Sequence, residues 1–407
     1  MDRYIILRDE NTALRRGQPF GVPGAGAEPF SRGMASTIPP DPVFETAEMH
    51  SAEARSLKHD PGVLHVARAM PTRLVAPVAS ATPGPGVGDG PTWGVVRTGA
   101  ADSPFDGVGV KVAVLDTGID AAHPAFRGVQ LEQRDFSGDG DGDPNGHGTH
   151  CAGTIFGRDV EGTRIGVAPG VGTALIGKVL GDDGSGSSEM LFDALKWASS
   201  NRVRVVSMSL GFDFPGFAER LVAEEGMPVI LATSIALEAY RMNLRMFDRI
   251  MDLFRSQAAF DGGVVVVAAS GNESARETNP DFEVSASVPA AAEGVISVGA
   301  VSEASGVLSV APFSNTNPVL SAPGVNVVSA ATGGGLVALN GTSMACPHVA
   351  GVAALWWQAL AGAGVPLTSR AVEARMLASA TRDGFVDGTD IADRGQGLVQ
   401  APSAALA

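Results

Sequence analysis

From Val110 onward the chain repeats one texture: short runs that are apolar at nearly every position, separated by Gly-rich turns. The runs are Val110–Leu115, Leu175–Leu180, Val203–Leu210, Val264–Ala269, Val295–Val301 and Val325–Ser329. A strand with one wet face alternates apolar with polar residues, so unbroken apolar runs predict strands buried on both faces. That is the condition of a parallel sheet covered by helices. Helical stretches such as Glu189–Ser199 fall between the runs. The pattern predicts an α/β core with a doubly wound, mostly parallel sheet and helices on both faces, in which ligands gather beyond the C-terminal ends of the strands.

The first 75 residues read differently. Tyr4–Leu7 and Val63–Ala67 predict strands, the second introduced by Asp60-Pro61-Gly62, and Glu45–Lys58 predicts a helix. Gly17–Pro42, rich in Gly and Pro, is expected to be loop. Residues 76–92 alternate Gly and Pro, which neither pack nor hold a ladder, so they predict a linker. The expected organisation is a small α/β unit over 1–75, the linker over 76–92 and a main domain over 93–407. Within that domain Leu237, Tyr240, Leu244, Phe247, Met251 and Phe254 recur at spacings of three and four, marking one stripe of a helix. The stripe either packs on its own domain or meets a partner or second copy.

Hydrophobic residues make up 44% and charged ones 18%, which supports a sizeable core and excludes a disordered chain. The 29 Lys and Arg against 44 Asp and Glu leave a formal charge of −15, which repels phosphate backbones and anionic lipid. Neither nucleic acid nor membrane is an expected partner. Two cysteines, Cys151 and Cys346, are too few for a disulfide framework or a Cys-ligated zinc. The opening residues lack a signal-peptide pattern and no apolar run reaches the length of a membrane span. A cytoplasmic or non-classically exported protein is expected.

Four polar residues stand where apolar segments end or begin. Asp116 closes Val-Ala-Val-Leu in Asp-Thr-Gly; His147 lies between glycines in Asn-Gly-His-Gly-Thr-His-Cys; Asn272 follows the run Val264–Ala269 in Ser-Gly-Asn; Ser343 opens an apolar helix in Gly-Thr-Ser-Met-Ala. A carboxylate ending a buried strand needs a partner, and a neutral imidazole accepts a proton near pH 7. A serine at a helix N-terminus has free N–H groups and the positive end of the dipole beside it. Each also has an ordinary reading, Ser343 as an N-cap and Asn272 as a turn residue. The lone Asp-Thr-Gly excludes a single-chain aspartic protease, and His147 with His150, spaced i, i+3 with no Glu between them, does not fit a metalloprotease. Together the four supply the acid, base, nucleophile and amide donor that acyl transfer requires.

In the order Asp, His, Ser these motifs resemble those of the subtilisin-like serine proteases, the subtilase family, over about residues 93–400. The resemblance implies a subtilisin-like fold and a serine endopeptidase that cleaves protein or peptide substrates through an acyl-enzyme and requires no cofactor for its chemistry. It implies Ser343 as nucleophile, His147 as general base and then acid, Asp116 as the group orienting the imidazole, and Asn272 with the Ser343 N–H as oxyanion donors. It implies that Ser209, Leu210 and Gly211, and Ala268, Ala269, Ser270 and Gly271, flank an extended substrate, with Gly181–Ser187 as a further substrate-side loop. Residues 1–75 resemble a propeptide, a partner within the chain that occupies the cleft until self-cleavage between Ala76 and Gly90. The helical stretch, about 213–262, is an insertion relative to the family pattern. A catalytically silent scaffold, or an esterase or peptide ligase using the same serine, would carry these motifs too.

Asp139, Asp141 and Asp143 alternate with glycine just before the His motif, and Asp135 lies four residues upstream of Asp139. Hard oxygen ligands at alternate positions suit Ca²⁺, and some subtilases hold calcium in this loop. A structural calcium on Asp135, Asp139, Asp141 and Asp143 is expected, a solvated acidic turn being the alternative. Cys151 follows His147 by four residues and Cys346 follows Ser343 by three, so both are expected near the catalytic centre. They are expected as buried free thiols, with a disulfide as the alternative.

Overall fold

The computed structural model describes residues 1–9, 42–57, 59–79 and 88–403. The first unit contains β1 (Asp2–Asp9), β2 (Pro42–Met49), α1 (Ser51–Leu57) and β3 (Val63–Arg68), its sheet antiparallel in the order β2-β1-β3. The strands expected at 4–7 and 63–67 are present. The helix expected over 45–58 is confined to Ser51–Leu57, because Pro42–Met49 pairs with β1 at every position. Glu45, Ala47 and Glu48 favour helix by only tenths of a kcal/mol each. That preference loses to the ladder and to the burial of Phe44, whose ring stacks on Phe192 at 5.6 Å between centroids. The loop expected over Gly17–Pro42 lies outside the described residues, apart from Pro42 itself, which opens β2. A further strand, β4 (Pro71–Leu74), leaves this unit altogether.

The main domain runs β5 (Lys111–Asp116), β6 (Gln130–Asp135), α2 (His147–Phe156), β7 (Thr173–Lys178), β8 (Ser185–Ser187), α3 (Ser188–Ser200), β9 (Val205–Met208) and β10 (Leu210–Phe212). It continues with α4 (Phe214–Ala223), α5 (Val229–Asp261), β11 (Val265–Ala269), β12 (Ile296–Ala304), β13 (Val307–Val310), β14 (Leu320–Pro323), β15 (Val327–Ala330), β16 (Leu336–Leu339) and α6 (Thr342–Ala361). The central sheet has the order β13-β12-β11-β9-β5-β7-β6, with β14 also paired to β12, and only the β12–β13 pair is antiparallel. The reason for the unbroken apolar runs is visible in β5. Val112 and Val114 enter the core that holds Phe156 and Trp356, while Ala113 and Leu115 enter the one that holds Phe192 and Phe247. Helices α2 and α6 thus belong to one face, α3 and α5 to the other.

The expected run Val325–Ser329 is not in this sheet. Val327–Ala330 forms a hairpin with β16, and the eighth strand is β14, a stretch of four residues that Ser321 disguises as a non-apolar segment. The expected linker is only partly free of the main domain: Val78 N–H donates to Asn340 O at 2.8 Å and Gly90–Pro91 pairs with Thr163–Arg164. Residues 80–87 lie outside the described residues. The stretch expected as an insertion, about 213–262, forms two helices, α4 and α5. The stripe of α5 divides, with Phe247, Met251 and Phe254 buried against the sheet, whereas Leu237 remains 45% exposed. The first unit rides on α3 and α5, through the Phe44–Phe192 stack and through Asn243 Nδ2, which donates to Arg68 O at 2.8 Å. No helix among the described residues is long and apolar enough to cross a membrane.

Candidate active site

Asp116 ends β5 with its side chain buried, and its Oδ1 accepts from Thr117 N at 2.8 Å and from His147 Nδ1 at 2.7 Å. His147 is the first residue of α2. The strand end and the helix start meet so closely that a Cβ on Gly148 would collide with Gly118 O, while Gly118 itself has φ +113°. Glycine is required at both positions for these two segments to touch.

Asp143 fixes the same junction. It is buried and accepts from Thr117 Oγ1 (2.7 Å), Gly146 N (2.9 Å), Thr149 N (2.8 Å) and Thr149 Oγ1 (2.6 Å), capping α2 and tying it to the residue after Asp116. Both oxygens of Asp143, one of the four expected calcium ligands, are engaged in this junction. Asp135 is likewise engaged, by Ser137 N and Oγ, Gly138 N and Gly140 N, and Asp139 Oδ2 accepts from Asp182 N. Asp141 is exposed. Asp135, Asp139, Asp141 and Asp143 do not bring oxygens of three of them within 4.8 Å of one another. Among the described residues the one cluster of three potential metal-ligating side chains is Asp116, His147 and Cys151.

Ser343 is the second residue of α6, fully buried, and Asn272 follows β11. Asn272 Oδ1 accepts from both Thr342 N and Thr342 Oγ1 at 2.9 Å, which orients the amide so that Nδ2 points away and donates to Ala76 O at 2.9 Å. Thr342 Oγ1 in turn accepts from Gly271 N at 3.2 Å. Asn315 Oδ1 accepts from Glu273 N and Ser274 N, bracing the turn beyond Asn272. Sequence reasoning missed Thr342, Asn315 and the capping role of Asp143. Only the last had a readable signal, an Asp three residues before the Gly that opens a helix.

The segment after the first unit occupies the cleft. β4 is the middle strand of an antiparallel sheet, between β8 and β10. Leu74 pairs with Leu210 and Arg73 with Gly211, Leu74 N donates to Gly184 O at 2.8 Å, and Val75 N to Ser209 O at 3.3 Å. The expected edge Ser209–Gly211 therefore does flank an extended chain, and the Gly181–Ser187 loop supplies the opposite edge. Ala268, Ala269, Ser270 and Gly271 do not pair with it: Ala268 and Ala269 are inside the main sheet and Ser270 N is engaged by Val298 O. Ser343 Oγ donates to Val75 O at 2.8 Å, while His147 Nε2 is buried and makes no protein hydrogen bond.

Both cysteines are free and buried, as expected. Cys151 Sγ lies 3.8 Å from His147 Nδ1 and donates to Ser343 O at 3.4 Å, which links the histidine helix to the serine helix. Burial, and after it the charge of Asp116, pushes the Cys151 thiol well above its usual range, so it is no nucleophile. A soft ion that reaches it would compete for His147 Nδ1 as well. A mercurial is expected to abolish activity in wild type and to spare Cys151→Val; equal loss in both, read by peptide turnover, removes this idea.

Two other buried imidazoles make stability depend on pH. Burial lowers His150 to about 3 and His348 to about 4. The unfolded chain takes up these protons near pH 6.5, so the stability present above that pH is lost as pH falls toward 4, at ~1 kcal/mol per pH unit for each ring. The urea midpoint of Ser343→Ala, used to avoid self-digestion, is expected to be lower at pH 5 than at pH 7. An unchanged midpoint contradicts the assignment.

The model of the subtilase family, Peptidase S8, matches residues 107–398, and the chain belongs to that family. It is similar to the intracellular serine protease of Paenibacillus polymyxa, 35% identical over 61% of this chain and 67% of that one. It is also similar to the thermostable alkaline protease of Halalkalibacterium halodurans, 33% identical over 76% and 71% of the respective chains, and to the major intracellular serine protease of Bacillus subtilis, 34% identical over 61% and 68%. The protein is a serine-type endopeptidase of the subtilisin fold.

Proposed function

We propose that Asp116, His147 and Ser343 form the catalytic triad and that the protein is made as a self-processing precursor. In this reading a substrate adds as a strand between β8 and β10, as residues 71–74 do. Ser343 Oγ attacks the carbonyl carbon and its proton passes to His147 Nε2, while Asp116 holds the Nδ1–H and stabilises the imidazolium. The carbonyl oxygen becomes an oxyanion facing Asn272 Nδ2 and the free N–H of Ser343 at the start of α6. The C–N bond then breaks, the leaving amine takes the proton from His147, and a water repeats the sequence to release the acid and free Ser343. Backbone pairing holds any sequence, so selection falls to side-chain pockets.

The observation that carries the reading is the hydrogen bond from Ser343 Oγ to Val75 O, the residue that directly follows a strand held on both edges. Residues 1–75 act as a propeptide, and the cut falls at Val75–Ala76, one bond before the expected window from Ala76 to Gly90. The arrangement is a resting one, because the two groups meet adjacent carbonyls: Ser343 Oγ meets that of Val75 and Asn272 Nδ2 that of Ala76. Attack requires both on one carbonyl, so the segment must shift before it is cut. Peptide-amide kinetics test the oxyanion role. Asn272→Ala is expected to lower kcat by about 10²–10³-fold, a size measured in subtilisin itself, with KM little changed. An unaltered kcat contradicts it.

A further inference from the structure

Arg73 and Val75 are two residues apart along an extended chain, so their side chains leave the same face, and both line one pocket of about 420 Å³. Part of its wall comes from the insertion: Phe214 of α4 with Leu237 and Tyr240 of α5. Tyr240 is held in place, its ring edge-on to Phe214 at 6.0 Å and its hydroxyl accepting from Val288 N at 3.1 Å. The Arg73 guanidinium lies between two carboxylates, Nη2 at 3.3 Å from Glu273 Oε1 and Nη1 at 3.5 Å from Asp213 Oδ1. Both carboxylates are anchored by the main domain. Asp213 caps α4, accepting from Gly216 N at 3.1 Å, and Glu273 Oε2 accepts from Asn315 Nδ2 at 2.7 Å.

We propose, resting on the reading that residues 71–76 lie where a substrate lies, that Asp213 and Glu273 form a subsite selecting a basic side chain at the third residue before the bond to be cut. The insertion beginning at Asp213 then has a function: it supplies one carboxylate of the subsite and the apolar wall beside it. The carboxylates are already fixed and lose little freedom when a guanidinium or ammonium arrives. Each pair is partly exposed, so the gain is modest and screened by salt.

Full-length protein that has processed itself is given the chromogenic amides of Ala-Arg-Leu-Phe and Ala-Gln-Leu-Phe, and the ratio of their kcat/KM values is taken within each protein. Wild type at low salt is expected to favour the Arg peptide about 3- to 10-fold. The ratio is expected to fall toward one at about 1 M salt, where the screening length is about 3 Å, and in the double variant Asp213→Asn, Glu273→Gln. Asparagine still caps a helix and the Gln carbonyl still accepts from Asn315, so both changes remove charge and keep the anchors. A wild-type ratio near one, or a preference that persists in high salt or in the double variant, overturns the subsite. If the double variant does not fold, the salt series on wild type decides alone. If neither peptide is cleaved by protein that has lost residues 1–75, the reading of the cleft itself fails and the subsite fails with it.

Discussion

Ser343→Ala is expected to lower kcat/KM by about 10⁶-fold, the size of loss that removal of the same group causes in subtilisin; the number is borrowed from that relative rather than derived from these distances. The reason is local. Ser343 Oγ is the hydroxyl that meets the carbonyl of a chain held as a strand between β8 and β10. Burial keeps the neighbouring Cys151 a thiol, so nothing replaces the serine. Intact mass should show wild type trimmed and the variant at full length. A variant that retains activity within 10-fold, or that still loses its N-terminal unit in purified form, contradicts the assignment.

Asp116→Asn is expected to lower kcat by about 10⁴-fold while the fold survives. Asp116 Oδ1 is the shared acceptor of Thr117 N and His147 Nδ1. An asparagine either turns its NH₂ toward the ring and Thr117 N, or keeps its oxygen on both and buries its NH₂ without a partner at the place of Oδ2, with no charge left to stabilise the imidazolium. In the first case Nδ1 becomes an acceptor and the ring proton moves to Nε2, which can then no longer take the proton of the serine. The accompanying thermal midpoint separates this from unfolding: Asp143 still braces the junction through Thr117 Oγ1 and Thr149, so the midpoint should move by only a few degrees. Activity within 10-fold of wild type contradicts the orienting role.

The four chemical residues were legible because each is constrained twice, by its own chemistry and by the neighbours that let it be placed. Asp116 had to end a buried strand, and Gly118 and Gly148 had to be small where that strand meets α2. The unbroken apolar runs identified the sheet for the same reason, since side chains on both faces of β5 are buried. The capping contacts of Asp143 were missed because a carboxylate in a Gly-rich turn has the same sequence whether it caps a helix or binds a cation. Glu45–Met49 was misread as helix because its helix preference is weak against a strand of eight paired positions. An occupied cleft was expected from the resemblance, but which residues fill it was not legible. Residues 71–75 look like the end of a small unit, and only the pairing of β4 with two strands of the main domain reveals that they are held as a guest. The insertion was legible as a helix stripe, but not its division into a buried half at Phe247–Phe254 and a pocket-lining part at Leu237 and Tyr240.

The most direct test of the central claim is reaction with a fluorophosphonate, read by intact mass and then by the mass of the modified peptide. Trimmed wild-type protein is expected to gain one label, on Ser343, and Ser343→Ala none. Trimmed protein left unlabelled, or labelled at any other residue, contradicts the claim that Ser343 is the nucleophile that His147 and Asp116 activate.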